Sequence, residues 1–160
     1  MLQDADLRLR PLDPRRDVPA ACRWYRDPHV LLMSEGPDER PFGRERVERM
    51  YAHLSAIGEV YVIEVREDDR WKPIGDATLA PDTLPIVIGD AGYRGRGLGA
   101  RVLSLLIGRA QNLGWTSLQA KHIYAYNEPS RRLFRRHGFA LVAEGVDERG
   151  RAWERYRLQI

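Results

Sequence analysis

The stretch GYRGRGLGARV (92–102) puts glycine at positions 95, 97 and 99, immediately ahead of a long apolar-periodic segment. Glycine weakens regular structure, so three in alternation at the mouth of a helix need a chemical reason. A glycine loop leading from a strand into a helix start turns backbone N–H groups outward, at the positive end of the helix dipole. That combination receives an anion, above all a phosphate. Three phosphate-binding patterns compete for the loop. The P-loop needs Gly-Lys-Ser/Thr, and here Gly97 is followed by Leu98 and Gly99, so it fails. The dinucleotide fingerprint can be laid on Gly95, Gly97 and Ala100, but it wants an acidic residue about 20 positions further on. No Asp or Glu stands between Asp90 and Glu128. The third pattern, Arg/Gln-x-x-Gly-x-Gly/Ala, is met by Arg94, Gly97 and Gly99. The same absence of carboxylates, with Arg94, Arg96 and Arg101 nearby, makes a phosphate neighbourhood. Without a ligand, these residues would make only a tight strand-to-helix turn.

These residues must be positioned by elements that the periodicity outlines. DLRLRPL (6–12) alternates as a strand, and residues 15–32 read as a mostly helical segment interrupted at Pro28. Residues 34–43 form a loop, and 44–57 a helix with Val47, Met50, Tyr51 and Leu54 on one stripe. EVYVIEVRED (59–68) and WKPIGDATLA (71–80) pair as a hairpin. The apolar run LPIVIGD (84–90) reads as a central strand buried on both faces. A helix follows over 97–113, a strand over 116–126 and a short helix over 127–138, capped by Asn127 and stopped by Gly138. Residues 139–145 and 152–160 close as a hairpin. This order predicts one α/β (α+β) domain over residues 5–160, a mixed sheet of about seven strands flanked by about four helices.

Composition narrows the function classes. At 160 residues the chain has the length of one domain with a real core, and its formal net charge of +3 is too mild to argue for nucleic acid. Cys22 is the only cysteine, so no internal disulfide or Cys-based zinc site is expected, and a reducing cytoplasm is the default compartment. The N-terminal residues lack the apolar core of a signal peptide, and no stretch approaches the roughly 18 apolar residues of a membrane span.

A second motif stands at a fixed distance from the first. NEPSRRLFRRHGF (127–139) sets Asn127, Ser130, Phe134, Gly138 and Phe139 in a row. With the Arg94–Gly97–Gly99 pattern and the element order, the chain resembles the GNAT superfamily of acyl-CoA N-acyltransferases. The likeness covers about 84–145 closely, two motifs in order being far more specific than either alone. RWYRDPHV, IGDAGYRGRGLG and Asn-x-x-Ser together are similar to one branch, which includes ribosomal-protein, polyamine and aminoglycoside 6'-N-acetyltransferases.

The resemblance implies transfer of an acetyl group from acetyl-CoA to a primary amine of a small molecule or a protein N-terminus, by direct attack and without a metal. It implies a fold whose central parallel strands splay apart to admit the pantetheine arm. Coenzyme A would be held by Val87, Ile88 and Gly89, by the loop Arg94, Gly95, Arg96, Gly97, Leu98, Gly99 and Ala100, and by Asn127, Ser130 and Arg132. The general acid of the family is a Tyr at the position of Phe134, and here this chain departs from the pattern. Ser130 replaces it, with Tyr124 and Tyr126 as the other candidates; close packing alone would also account for a small Ser130. A carboxylate near the start of the central strand would be Asp82, which a turn in APDT also explains. His122 has a suitable intrinsic pKa for a proton relay, although a lone strand His serves structure equally well.

Acceptors in the superfamily enter over the first helices. There Trp24, Tyr25 and Glu35, with Asp38 and Glu39, would form an acidic, aromatic rim for a cationic amine. Two further readings compete: a non-catalytic acyl-CoA sensor of the same fold, and a small basic RNA-binding module. The arginines of 131–136 are a solvated face, a contact for the adenosine 3'-phosphate, or a basic patch. No nucleic acid or membrane partner is expected. An edge strand such as 152–160 could pair two copies into a homodimer.

Overall fold

The computed structural model describes residues 1–160. Eight strands and five α-helices follow in the order β1 (Leu2–Asp4), β2 (Leu7–Pro11), α1 (Pro14–Trp24), α2 (Pro28–Ser34), α3 (Arg44–Ile57), β3 (Glu59–Glu67), β4 (Arg70–Leu79), β5 (Ile86–Ile88), α4 (Leu98–Asn112), β6 (Ser117–Tyr124), α5 (Glu128–Arg136), β7 (Ala140–Val146) and β8 (Ala152–Gln159). The strands form two sheets, ordered β1-β2-β3-β4-β5 and β6-β8-β7. Every ladder within them is antiparallel. The expected antiparallel pairing and splayed central strands are both present: β5 and β6 share no ladder, and the strands divide into two sheets between them.

Local chemistry explains the element ends. Pro28 does interrupt the first helical segment, because it starts a new helix: Asp27 caps α2 through the His29 amide at 2.9 Å, and proline at the first position loses no bond that the helix needed. Pro73 is accommodated in β4 at a bulge, where the register with β3 shifts between Ile63 and Glu64. Ahead of these elements, the short β1 pairs with β2, Leu2 standing opposite Leu9.

The five-stranded sheet is covered on both faces, by different chemistry. On one face Leu7, Leu9, Ile63 and Ile74 meet Leu103 and Leu106 of α4. Each large aliphatic side chain fully buried there contributes about 1.5–3 kcal/mol over exposure. On the other face Val18, Val47, Tyr51 and Val62 pack α1 and α3 onto the strands. That second face also holds buried charge. Arg10 grips Asp17 with two bonds of 2.8 and 3.0 Å, and Glu64, fully buried, receives Arg8 at 2.7 Å.

Two expectations are corrected. Residues 84–90 do not make a long strand buried on both faces: β5 spans only Ile86–Ile88 and is half-buried, because β4 holds one edge and the other faces the splay. The strand 152–160 is not an edge either. It is β8, central in its sheet, and the edges are β6 and β7.

Candidate active site

The glycine loop takes its shape from φ values that side chains rarely adopt. Gly95 and Gly97 lie at φ +74° and +75°, and a Cβ at either would point into open space. Gly97 is the N-cap of α4 and has no side chain to cap with. From Gly95 through Ala100, no backbone amide has an acceptor within the protein. Leu98 itself is buried, and Gly99 lets Leu133 of α5 approach within 3.6 Å of where a Cβ would be.

The surrounding arginines divide in role. Arg94 is not free to meet a phosphate: its Nε donates to Ile88 O at 3.0 Å and its Nη2 to Asp27 Oδ2 at 2.7 Å, joining the end of β5 to the start of α2. The Arg94 guanidinium holds the Asp27 carboxyl below its usual range. Arg101 is bound to Asp4 and Asp6. Arg96 extends over the Tyr93 ring, 4.9 Å from its centroid, and has no ion-pair partner. Arg132, on the exposed side of α5, meets only Glu128, at 3.7 Å.

In β5 the ladder decides which amide faces the splay. Gly89 N donates to Ile74 O at 2.8 Å, and Val87 stands opposite Asp76 in the ladder. Alternation along an antiparallel strand therefore turns Ile88 outward. Its carbonyl accepts Arg94 Nε at 3.0 Å, away from β4, while Arg94 Nη2 also donates to Gly89 O at 3.2 Å. Among Val87, Ile88 and Gly89, the N–H offered to the gap is that of Ile88.

Across the gap, the junction from β6 to α5 is committed to holding α2. The last carbonyls of a helix have no partner within it. Here Tyr126 donates to Leu32 O, Asn127 Nδ2 to Met33 O at 3.2 Å, and Tyr124 to Glu35 O at 3.1 Å. Asn127 Oδ1 also caps α5 at the Ser130 amide, at 3.3 Å. Ser130 is partly exposed at the first turn of α5, and its hydroxyl has no protein partner. Phe134 is buried, in edge contact with Phe139 at 5.1 Å.

The acceptor side differs from the expected rim. Trp24 and Tyr25 are only 4% and 3% exposed. Trp24 lies against the backbone of Gly89, where a Cβ would meet its Cγ at 2.2 Å, and Tyr25 stacks on Phe42 at 5.3 Å. Both support the strand from below because α1 packs flat onto the sheet. Glu35 is half-buried and has no ion-pair partner; desolvation pushes its carboxyl up, Arg46 opposes that, and Glu39 adds to it. Asp82 is exposed in the β4–β5 turn, 3.6 Å from Lys121. The turn reading suits it better than the gap does.

The residue that sequence reasoning missed is Asp76. It sits on β4 directly opposite Val87, buried, with Oδ2 receiving Tyr25 at 2.8 Å and Tyr51 at 2.7 Å. Burial raises its carboxyl to about 6, with the two tyrosine bonds opposing, and desolvation raises Tyr25 well above its ordinary value. The available signal was one acid inside the apolar strand IGDATLA. No group of three or more His, Cys, Asp or Glu converges as metal ligands would, and no helix is long and apolar enough to cross a membrane.

Residues 6–140 match the family model described as the acetyltransferase (GNAT) domain. No curated protein matches the chain. Among solved structures, a domain from Methanocaldococcus jannaschii is 19% identical at a TM-score of 0.82, covering 96% of this chain and 98% of its own. Spermidine N-acetyltransferase from Vibrio cholerae, in complex with CoA and spermine, is 17% identical at 0.80, with 98% and 96% covered. Aminoglycoside acetyltransferase AAC(6')-Ib in complex with coenzyme A is 16% identical at 0.76, with 96% and 94% covered.

Proposed function

The chain belongs to the GNAT acetyltransferase family, and from that premise we propose that it moves an acetyl group from acetyl-CoA to a primary amine of a small molecule or a protein N-terminus, by direct attack within a ternary complex. One observation carries the reading. A run of backbone amides without acceptors, from Gly95 to Ala100, opens at the start of α4 beside a sheet that separates at β5 and β6.

The residues present fit the cofactor. The loop offers its N–H groups at a helix start, carries no Cβ at Gly95 and Gly97, and has no carboxylate between Asp90 and Glu128. The amides of Gly95 to Ala100 would hold the diphosphate, with Arg96 beside them. Arg132 would meet the 3'-phosphate. Acetyl-CoA supplies the acetyl group as an activated thioester.

The chain's own residues then divide the remaining work. The Ile88 N–H is the donor aimed at the gap, placed to stabilise negative charge developing on a carbonyl oxygen there. Asp76, one residue away across the ladder, is the carboxylate assigned to accept the amine's proton, with Tyr25 and Tyr51 fixing its Oδ2. Ser130, whose hydroxyl is free at the first turn of α5, is assigned to return a proton to the leaving thiolate. Asn127, Tyr124 and Tyr126 keep α2 closed over both sheets.

The test is calorimetric titration with acetyl-CoA and free CoA, followed by thiol release with an amine panel. Binding with amine-dependent thiol release supports the proposal. Binding without release with any amine would leave the acyl-CoA sensor, and no binding of either ligand overturns the reading.

A further inference from the structure

Beside the β6–α5 junction lies a concavity of about 470 Å³, lined by His122, Tyr124, Trp153, Val146 and the β7–β8 turn. Its wall is built by a bulge. The β6–β8 register shifts between Ala120 and Ile123, and His122 there takes φ +60°. Positive φ in a non-glycine residue is uncommon and collects at functional positions. The consequence is an exposed imidazole stacked on Trp153 at 5.6 Å and set edge-on to Tyr124 at 5.5 Å. Tyr124 in turn stacks on Tyr126 at 5.2 Å, so aromatic rings run from the concavity to the residue before Asn127.

The charges around it are largely neutralised. Asp147 receives the amides of Arg149 and Arg151 and the Arg151 side chain, each at 2.9 Å. The Arg151 guanidinium lies against Gly36 and 5.4 Å from the centre of the Tyr124 ring. Asp38 faces Arg149 at 3.9 Å, and Glu39 is bound to Arg46 at 3.0 Å. Of the acids in the α2–α3 loop, only Glu35 has no ion-pair contact, although Arg46 is near enough to act on it. An acidic rim for a polycation would need several uncompensated carboxylates. The lining itself sets Asp147 and Glu148 against Arg149 and Arg151; Asp147 is held by Arg151 and only Glu148 has no ion-pair partner, beside a wall of aromatic faces.

We propose that the acceptor is a monoamine with an aromatic face, seated in this concavity with its ring against His122 and Tyr124, and that polyamines and aminoglycosides are poor acceptors. This substrate class rests on the acetyltransferase reading above and narrows it. Ring stacking contributes about 0.5–1.5 kcal/mol, and the balanced charges of the lining leave no cluster of acids for a second or third ammonium.

The probes are tryptamine, spermidine and kanamycin. Calorimetry of tryptamine against cofactor-free protein reads the concavity alone, and acetyl-CoA titration reads the transferase site separately. Tryptamine is expected to bind wild type. His122→Asn, which tolerates the positive φ, and Trp153→Ala should each weaken tryptamine binding by roughly 3- to 10-fold, with acetyl-CoA binding and melting temperature retained. In turnover, tryptamine should exceed spermidine and kanamycin in kcat/KM. Arg149→Glu, at an exposed position, should raise spermidine kcat/KM by roughly fivefold by freeing Asp38. A protein that prefers spermidine or kanamycin, or tryptamine binding indifferent to both aromatic substitutions, overturns the inference. Tryptamine binding that both substitutions weaken, in a protein that ignores acetyl-CoA, supports the aromatic site and overturns the transferase reading instead.

Discussion

Two strand-to-helix junctions face each other across the divided sheet, and they are built on opposite plans. The junction from β5 to α4 has three glycines, no side-chain cap and a row of amides without acceptors. The junction from β6 to α5 has a side-chain cap, a proline in the first turn and two tyrosines, and its side chains are bonded to the end of α2. Unmade hydrogen bonds cost stability where they are buried, so a folded chain leaves them only where water or a ligand can complete them. Under the proposed function the first junction is the one prepared for a ligand, and the second holds the cover over it. Motifs alone give both junctions binding roles. The bonds separate them.

The largest test of that difference is Gly97→Val. The substitution sets a branched side chain at φ +75° over the open amides. It should weaken acetyl-CoA by roughly a hundredfold, the equivalent of two lost bonds to a charged acceptor. Stability should fall by only about 1–2 kcal/mol. Titration calorimetry beside a thermal melt separates the two effects. Equal affinity would remove the loop from the ligand site.

Asp76→Asn probes the buried carboxylate on β4. The Asp76 carboxyl rises from 3.8 to about 6 on folding, so the folded state binds more protons than the unfolded state between those pH values. Stability contributed by this residue must therefore fall as pH climbs from about 4 to 6, by about 3 kcal/mol in all. The Asn variant should lose that slope, and the acid limb of kcat/KM near pH 6 should go with it. Melting temperatures and rates measured across the window decide the matter; an unchanged acid limb would move the proton acceptor elsewhere.

Ser130→Ala sharpens the second junction. If its side chains served only architecture, nothing would change, because the Ser130 hydroxyl has no protein partner and the Asn127 cap uses its amide. The expected outcome is a fall in kcat of roughly tenfold, at the low end for acid–base groups, with the acetyl-CoA dissociation constant unchanged. The smallest expected effect is that of Arg132→Ala. Its exposed contact to Glu128 is worth well under 1 kcal/mol. CoA affinity should drop a few-fold, while dephospho-CoA affinity stays level.

Much of the framework was legible because it rests on local rules. Helix α3 was readable to its ends, since an apolar stripe runs between Gly43 and Gly58. The glycine loop was readable because few other purposes call for three alternating glycines there. Other features depended on partners distant in the chain. Arg94 looks like a phosphate ligand until it meets Asp27, which lies 67 residues away. Asp76 looks like a polar residue on a strand until α1 and α3 bring Tyr25 and Tyr51 to it. Trp24 and Tyr25 read as a rim until α1 lies down on β5 and buries them.

The sequence by itself determined the family, the order of elements and the loop whose backbone can meet an anion, because periodicity, capping and glycine conformation act over a few neighbouring residues. Tertiary structure alone decided which amide of β5 faces the gap, which arginines are already held, and where burial holds a carboxyl above its usual range. Those properties arise from ladder register and desolvation, and both require segments far apart in the chain to be packed together.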